Sequence, residues 1–251
     1  MLIHPIPAFQ DNYIWALINP DNRNAVIVDP GDAIPVLQFL KKNNLNLTAI
    51  LITHHHYDHT NGIAELTKHF TVPVFGPNEN ITGLTQSLKE GDIALNFNVL
   101  DIPGHTRHHI AYYANHILFC GDTLFTGGCG KIFEGTADQM YSSLMKLTSL
   151  PDETKIYCGH EYTLANLQFA EILEPNNNKI KERIIKVKNL RANNQSSVPS
   201  LLSEEKETNP FLRCHSKELI DHIQQHARRD LTDPIQIFAF IRQYKNEFIV
   251  S

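Results

Sequence analysis

The sequence predicts an α/β protein whose C-terminal part is helical. Short apolar runs alternate with amphipathic stretches over residues 1–163, whereas only helical patterns follow from residue 164 onward. A chain of 251 residues is long enough for a main domain with a smaller one attached. We therefore predict a catalytic domain at residues 1–163 and a helical domain at residues 164–251.

Short apolar runs bounded by Gly, Pro or Asn predict the strands. The runs at residues 14–18 and 25–29 flank a polar turn, which indicates an antiparallel hairpin. The run at residues 47–53 is apolar enough for a buried strand and stops at a cluster of histidines. Further strands are predicted at residues 72–75, 97–102, 110–113, 117–120 and 155–158. Three of these strands lead into Gly-His or Gly-Asp dipeptides, so we expect their ends to meet at one site.

Amphipathic spacing predicts the helices. They are expected at residues 33–42, 62–69, 138–147, 164–173, 180–190, 216–226 and 234–248. In the helix at 180–190, one apolar face is formed by Ile180, Ile184, Val187 and Leu190, so its basic residues form a solvated face. The segment 195–209 is polar and rich in Ser and Glu. We predict a loop there, long enough to be mobile or functional.

The composition excludes several classes of protein. A net charge of -5 gives no reason to expect nucleic-acid binding. No apolar run approaches the roughly 20 residues of a membrane span, and the first residues lack the pattern of a signal peptide, so we expect a cytoplasmic protein. The four cysteines form no CxxC pair, which predicts free thiols. The 14 histidines are the unusual feature, and they indicate a metal site.

A His-x-His-x-Asp-His motif follows the predicted strand at 47–53. Alternate residues of an extended segment point to the same side, so His54 and His56 can chelate one ion while Asp58 and His59 face a second. Imidazole and carboxylate groups suit Zn, Fe or Mn better than Ca or Mg. Two ions about 3.5–4 Å apart need a shared anionic ligand, and Asp122 in its Gly-Asp-Thr turn fits that role.

Three further motifs make the chain resemble the metallo-β-lactamase superfamily. They are Gly-His-Thr at 104–106, Gly-Asp-Thr at 121–123 and Gly-His-Glu at 159–161. The resemblance implies an αββα sandwich, in which two mixed sheets are flanked by helices. It also implies that His105 completes the ligand set of His54 and His56, and that His160 joins Asp58 and His59. A hydroxide that bridges the ions and is oriented by Asp58 would then be the nucleophile.

Motifs elsewhere extend the resemblance over nearly the whole chain, to the glyoxalase II or hydroxyacylglutathione hydrolase family. They are GGCGK at 127–131, FEG at 133–135, GHEYT at 159–163, NPFLR at 209–213 and RQYK at 242–245. This resemblance implies hydrolysis of S-D-lactoylglutathione to D-lactate and glutathione, the second step of methylglyoxal detoxification. The catalytic residues would be Asp58 and Asp122.

The same resemblance implies which residues hold glutathione. The family's contacts fall on Lys131, Tyr162, Arg242 and Lys245, with Phe133 where the family can carry a tyrosine. Arg242 and Lys245 are three residues apart on a predicted helix, so both cations can meet one carboxylate of glutathione. We expect a small-molecule glutathione thioester as substrate, no nucleic-acid or membrane partner, and a monomer.

Other functions fit parts of this pattern. A persulfide dioxygenase would share much of the motif but use a single iron, and a class B β-lactamase would usually carry Cys in place of Asp122. Another hydrolase of the same fold is also possible on the ligands alone. A structural zinc site would close its shell with four protein ligands. The predicted shells leave room for water, so we expect catalysis by two divalent ions, with zinc preferred and iron or manganese as alternatives.

Overall fold

The computed structural model describes residues 1–227 and 231–248. The remaining positions of the predicted helical domain, 228–230 and 249–251, lie outside the described residues. The chain forms two compact units. The first comprises Met1–Asp101 and His108–Gly121, and the second comprises Ile102–Arg107 and the described residues from Asp122 onward.

The first unit contains a mixed six-stranded sheet in the order β1-β2-β3-β4-β5-β6. Its strands are β1 (Leu2–Ala8), β2 (Asn12–Asn19), β3 (Asn24–Val28), β4 (Asn46–Leu51), β5 (Val74–Pro77) and β6 (Gln86–Leu88). Strands β1 to β3 pair antiparallel and β3 to β6 pair parallel. Helix α1 (Ala33–Asn43) connects β3 to β4, and α2 (Tyr57–Thr60) and α3 (Ile63–His69) connect β4 to β5. Residues 78–85 connect β5 to β6 without a helix.

The parallel strands determine where the polar residues of the first unit meet. Because β3 and β4 run side by side in the same direction, Asp29 and the histidine motif both leave the sheet at the same edge. Helix α1 begins just after that edge, where the Asp32 side chain accepts a hydrogen bond from the Ile34 amide (2.9 Å). The apolar core below this edge includes Ile14, Ile27 and other fully buried aliphatic residues.

Four antiparallel strands also belong to the first unit. They are β7 (Ile93–Ala94), β8 (Phe97–Asp101), β9 (Ile110–Ala114) and β10 (Ile117–Gly121). Two hydrogen bonds join β9 to the chain just after β4: the Ile110 amide donates to the Thr53 carbonyl (2.9 Å), and the Tyr112 hydroxyl donates to the Ile52 carbonyl (2.8 Å). This sheet therefore supports the segment that leads into the histidine motif.

The second unit is mainly helical. Its strands are β11 (Leu124–Phe125), β12 (Gly128–Cys129), β13 (Lys155–Cys158) and β14 (Ser200–Leu201). Its helices are α4 (Ala137–Thr148), α5 (Thr163–Leu173), α6 (Asn178–Ala192), α7 (Leu202–Thr208), α8 (Lys217–Ala227) and α9 (Pro234–Glu247). Ile180, Ile184 and Val187 of α6 pack against Leu167 and Ala170 of α5, as predicted, whereas Leu190 is half-buried and outside this cluster. The prediction that the basic residues of this helix are solvated is wrong for Arg183, which is buried in an ion pair with Glu205.

The predicted loop at 195–209 is wrong. The segment contains strand β14 and helix α7, and Glu205 and Asn209 within it are fully buried. The buried face of α7 carries polar groups that bind other parts of the protein, so its residues give no apolar periodicity to predict a helix. Strands β1, β6, β7, β11 and β12 were also absent from the prediction.

Two predictions from composition can be compared with the structure. All four cysteines are buried and free, as predicted. Among the described helices, none combines the length and the hydropathy that crossing a membrane requires.

Candidate metal centre

The loop after β4 carries four predicted ligands. His54 Nε2 lies 3.2 Å from His56 Nδ1, and His59 Nε2 lies 3.6 Å from Asp58 Oδ2. Bonds of 2.0–2.1 Å in a tetrahedral zinc site place neighbouring donor atoms about 3.3 Å apart. Each pair in this loop is therefore spaced like two ligands of one ion.

Asp29, directly after β3, orients this loop. Its Oδ1 accepts a hydrogen bond from the Thr53 amide (2.8 Å), and its Oδ2 accepts from the Thr53 hydroxyl (2.7 Å) and from His59 Nδ1 (3.0 Å). Because the Thr53 hydroxyl donates to Asp29, it accepts from His54 Nδ1, which is 3.0 Å away. Both rings thus carry a proton on Nδ1, and Nε2 of His54 and of His59 becomes the electron-pair donor that a metal requires.

Two more side chains of the first unit contact the predicted ligands. The buried ring of His109 stacks on His54, with centroids 4.6 Å apart and planes 15° apart. Asn12 Nδ2 donates to Asp58 Oδ2 (3.0 Å). None of the three residues His109, Asn12 and Asp29 was predicted to have a role. Of the three, Asp29 carried a usable signal, since it is an acidic residue directly after a buried strand that borders the site.

The second unit holds the other three predicted ligands. Asp122 Oδ2 lies 3.2 Å from His160 Nε2 and 3.5 Å from His105 Nε2, and all three residues are buried. His105 Nδ1 donates to the carbonyl of Lys131 (2.7 Å), so the His105 Nε2 that faces Asp122 is an electron-pair donor. Such a donor is stable beside a carboxylate oxygen when the two share a cation. This set of two imidazole nitrogens and one carboxylate fits divalent metal ions. Because both nitrogens lie near the same oxygen of Asp122, this oxygen is a candidate for a metal ligand next to either histidine.

Three predicted substrate contacts lie beside these ligands. The ring of Tyr162 stacks on His160, with centroids 4.7 Å apart and planes 7° apart. Phe133, which is 59% exposed, meets His105 edge to face at 5.3 Å. The ammonium group of Lys131 lies 5.4 Å from the Phe133 ring centroid. An exposed aromatic and cationic surface therefore borders the second unit's ligands.

Arg242 on α9 is buried, and its contacts are internal. Its Nη1 donates to the carbonyl of Cys129 (2.8 Å), and its Nη2 donates to Asn246 Oδ1 (3.2 Å). The guanidinium also lies 5.2 Å from the Phe211 ring centroid. Arg242 thus fixes the end of β12, a role that was not predicted, and its contact with glutathione stays a prediction.

Lys245 lies one turn further along α9. Its ammonium group donates to the Ala165 carbonyl (3.1 Å) and lies 5.0 Å from the Phe169 ring centroid. Burial, followed by the positive charge of Arg242, lowers the pKa of Lys245 to about 8. The charge of this side chain is therefore sensitive to pH in a range where few lysines titrate.

We expect Asp29→Asn to weaken metal binding about 10- to 100-fold, the usual effect of losing a partner that orients a ligand. The amide keeps the size of the side chain but cannot accept from both Thr53 and His59 as the carboxylate does. Metal affinity is measured by competition with a chromophoric chelator. The control is Asp32→Asn, which keeps its helix-capping role. Equal affinities for the two variants would remove the orienting role of Asp29.

Comparison with known proteins agrees with these features. The family model described as "Metallo-beta-lactamase superfamily" matches residues 12–160, and the one described as "Hydroxyacylglutathione hydrolase C-terminus" matches residues 161–248. A hydroxyacylglutathione hydrolase of Nitrosomonas eutropha is 52% identical over 98% of this chain and 98% of the relative. That of Shewanella halifaxensis is 48% identical over 98% of this chain and 99% of the relative.

Solved structures resemble the chain in fold. The crystal structure of ETHE1 from Myxococcus xanthus has a TM-score of 0.67 at 26% identity and covers 98% of each chain. The crystal structure of BLEG-1 B3 metallo-beta-lactamase has a TM-score of 0.62 at 22% identity and covers 84% of this chain and 99% of that one. With the family models, these likenesses confirm the predicted metallo-β-lactamase fold of mixed sheets and flanking helices, followed by a helical C-terminal region.

Proposed function

The chain belongs to the hydroxyacylglutathione hydrolase family of the metallo-β-lactamase superfamily, and we propose that it hydrolyses the thioester of a 2-hydroxyacyl glutathione. The substrate that this family name indicates is S-D-lactoylglutathione, which gives D-lactate and glutathione. The leaving thiolate, with a pKa of about 8.5, needs little help from a general acid. The reaction therefore requires a nucleophile, a means to stabilise the oxyanion, and a way to hold glutathione.

Two divalent ions, zinc in our proposal, meet the first two needs. The proposed ligands are His54, His56, Asp58, His59, His105, Asp122 and His160. When bound, the ions supply a hydroxide at neutral pH and stabilise negative charge on the thioester oxygen. Asp122 would be the shared anionic ligand, and Asp58 would orient the attacking group. Asn12 holds Asp58 in place through its bond to Oδ2.

Glutathione is held by the exposed residues beside His105 and His160, together with cations of α9. Lys131, Tyr162 and Lys245 supply polar groups, and Phe133 supplies an apolar surface. Arg242 supplies a second cation of α9 and also supports the end of β12. Glutathione carries two carboxylates, which suits a cationic surface on an acidic protein. We propose that the catalytic domain is residues 1–163 and the glutathione-binding domain residues 164–251, a division close to the junction of the two family models at 160 and 161.

One observation carries the proposal: in a chain of this family, His105 and His160 both point Nε2 at one oxygen of Asp122. The test is hydrolysis of S-D-lactoylglutathione by the purified protein, with bound metals quantified in the same sample. We expect turnover with two divalent ions per chain. Oxygen consumption with glutathione persulfide and a single iron would instead support the dioxygenase alternative. Zinc as the native metal, a monomeric state and a cytoplasmic location stay predictions.

Lys245 makes thioester binding depend on pH in a defined direction. Its pKa of about 8 in the free protein means that the ammonium is charged at pH 7 and mostly neutral at pH 9. We expect KM to rise about fivefold between these pH values, the factor that corresponds to ~1 kcal/mol for a partly exposed ion pair. In Lys245→Gln, KM should be high at both pH values. Parallel pH profiles of KM in the two proteins would exclude a glutathione contact at Lys245.

A further inference from the structure

Side chains from the C-terminal helices hold the backbone of the β11–β12 hairpin. The Thr126 carbonyl accepts from Asn166 Nδ2 (3.1 Å), and the Cys129 carbonyl accepts from Arg242 Nη1 (2.8 Å). Asn209 Nδ2 donates to the carbonyls of Phe125 (3.2 Å) and Gly128 (2.9 Å). The turn of this hairpin is thus held by distant parts of the chain in addition to its own strand pairing.

Glu205 on α7 is the centre of this arrangement. Its carboxylate is fully buried, and Oε2 accepts from the Gly127 amide (2.7 Å) and from Asn209 Nδ2 (3.0 Å). Its Oε1 forms a short ion pair with Arg183 of α6. Arg183 is itself buried and donates through Nη1 to the Thr208 hydroxyl. Removing two charges from water costs free energy, so a buried ion pair need not stabilise the fold. The contact of this pair with a backbone amide of the hairpin therefore indicates a further role.

The hairpin and the residues that flank it contact the predicted metal ligands. It starts two residues after Asp122, and the Gly130 amide donates to the Thr123 carbonyl (3.1 Å), which closes the loop behind Asp122. The carbonyl of Lys131, directly after this loop, accepts from His105 Nδ1 (2.7 Å). The ring of Phe125 meets His160 edge to face at 5.9 Å. A shift of the hairpin would therefore reach all three ligands of the second unit.

We propose that Glu205, held by Arg183, is a positioning residue: it fixes the β11–β12 hairpin and, through it, the orientation of His105 and the place of Asp122. The expected change in kcat rests on the proposed function. The expected changes in hydrogen exchange and metal content can be measured without substrate. Losing the carboxylate would let the hairpin move and turn the His105 ring so that its Nε2 no longer faces Asp122. The reacting site would then be impaired more than glutathione binding, because Lys245 is held by the Ala165 carbonyl and not by the hairpin.

The chain offers a matched control in a second buried carboxylate. Glu174 is fully buried and pairs with Arg213, whose Nε and Nη2 both donate to it at 2.8 Å. This pair lies in the same unit but bonds to no residue of the hairpin in the described structure. Glu174→Gln and Glu205→Gln therefore remove equivalent charges, and only the second change is expected to reach the metal ligands.

The experiment compares hydrogen exchange, metal content, kcat and KM in the full-length protein, well below the melting temperature of each variant. For Glu205→Gln we expect peptides covering 124–131 to exchange at least about tenfold faster and kcat to fall about 10- to 100-fold. We expect a smaller rise in KM, because Lys131 lies in this segment whereas Lys245 does not. For Glu174→Gln we expect a lower Tm with unchanged hairpin exchange and kcat. If Glu205→Gln does not fold, Arg183→Lys provides the milder change, and an intermediate loss is expected.

The positioning role of Glu205 and the proposed function can fail separately. Equal losses of kcat in both glutamine variants, or normal hairpin exchange in folded Glu205→Gln or Arg183→Lys, would overturn the positioning role. If the unmodified protein fails to hydrolyse the thioester, the proposed function fails. In that case faster hairpin exchange with reduced metal content in Glu205→Gln, and not in Glu174→Gln, would still support the positioning role.

Discussion

Replacing Asp122 by Asn is expected to remove most of the bound metal and to lower kcat by about a thousandfold or more. Metal ions supply several kcal/mol of transition-state stabilisation, and each 1.36 kcal/mol corresponds to about a factor of ten in rate. Asn keeps the shape of the side chain but cannot share a negative charge between two ions. His105 Nε2 and His160 Nε2, which both face Asp122 Oδ2, would then face a neutral amide.

The measurement is metal content by elemental analysis, together with steady-state kinetics on S-D-lactoylglutathione. Asp138→Asn serves as the control, because Asp138 is an exposed residue in the first turn of α4. This control should bind two ions and turn over normally. An Asp122→Asn protein that keeps two ions and full activity would refute the assignment of Asp122 as the shared ligand.

The histidine motif was predictable because all its information is local. A strand places alternate residues on one side, so His54 and His56 could be paired from their spacing alone. Asp29 could not be assigned in this way, since its link to Thr53 and His59 depends on β3 and β4 lying side by side. The sequence therefore predicted these candidate ligands but not the carboxylate that orients His54 and His59.

The prediction of a loop at residues 195–209 was wrong for a different physical reason. Sequence patterns detect a helix through apolar periodicity, and the buried face of α7 includes Glu205 and Thr208. Buried polar residues are stable only when bonded, and their partners here are Arg183 and the backbone of the hairpin. Those partners are distant in sequence and cannot be recognised from the segment itself. Residues 195–209 therefore have the polar composition of a surface loop although Glu205 and Asn209 are buried.

Arg242 illustrates the limit of assigning charges from helical spacing. The pattern placed it on one face of α9 with Lys245, and that much agrees with the structure. Spacing does not report depth, however, and the guanidinium is buried against the Cys129 carbonyl. The same cation that was predicted to contact glutathione thus also maintains β12, and its replacement would affect folding as well as binding.

Gly130→Ala is expected to disrupt the centre without removing any functional group. A Cβ on Gly130 would lie 1.8 Å from the carbonyl oxygen of Asp122 and 3.2 Å from His105 Nδ1, so the backbone beside both ligands must move. Overpacking of this kind costs about 1–3 kcal/mol or more. A displacement of ligands by about 1 Å can lower kcat about 100-fold. Tm, metal content and kcat should therefore all fall.

Gly91→Ala separates this effect from the general cost of replacing a glycine. Gly91 has φ of +83° and no heavy atom within 4 Å of the added Cβ, so alanine there brings backbone strain without a clash. The strain should cost about 1 kcal/mol of stability and leave kcat and metal content unchanged. If Gly130→Ala also kept its metal and its kcat, the chain behind Asp122 would have to be free to move. The positioning role of Glu205 would then be wrong, because it requires the backbone between Asp122 and Gly130 to be rigid.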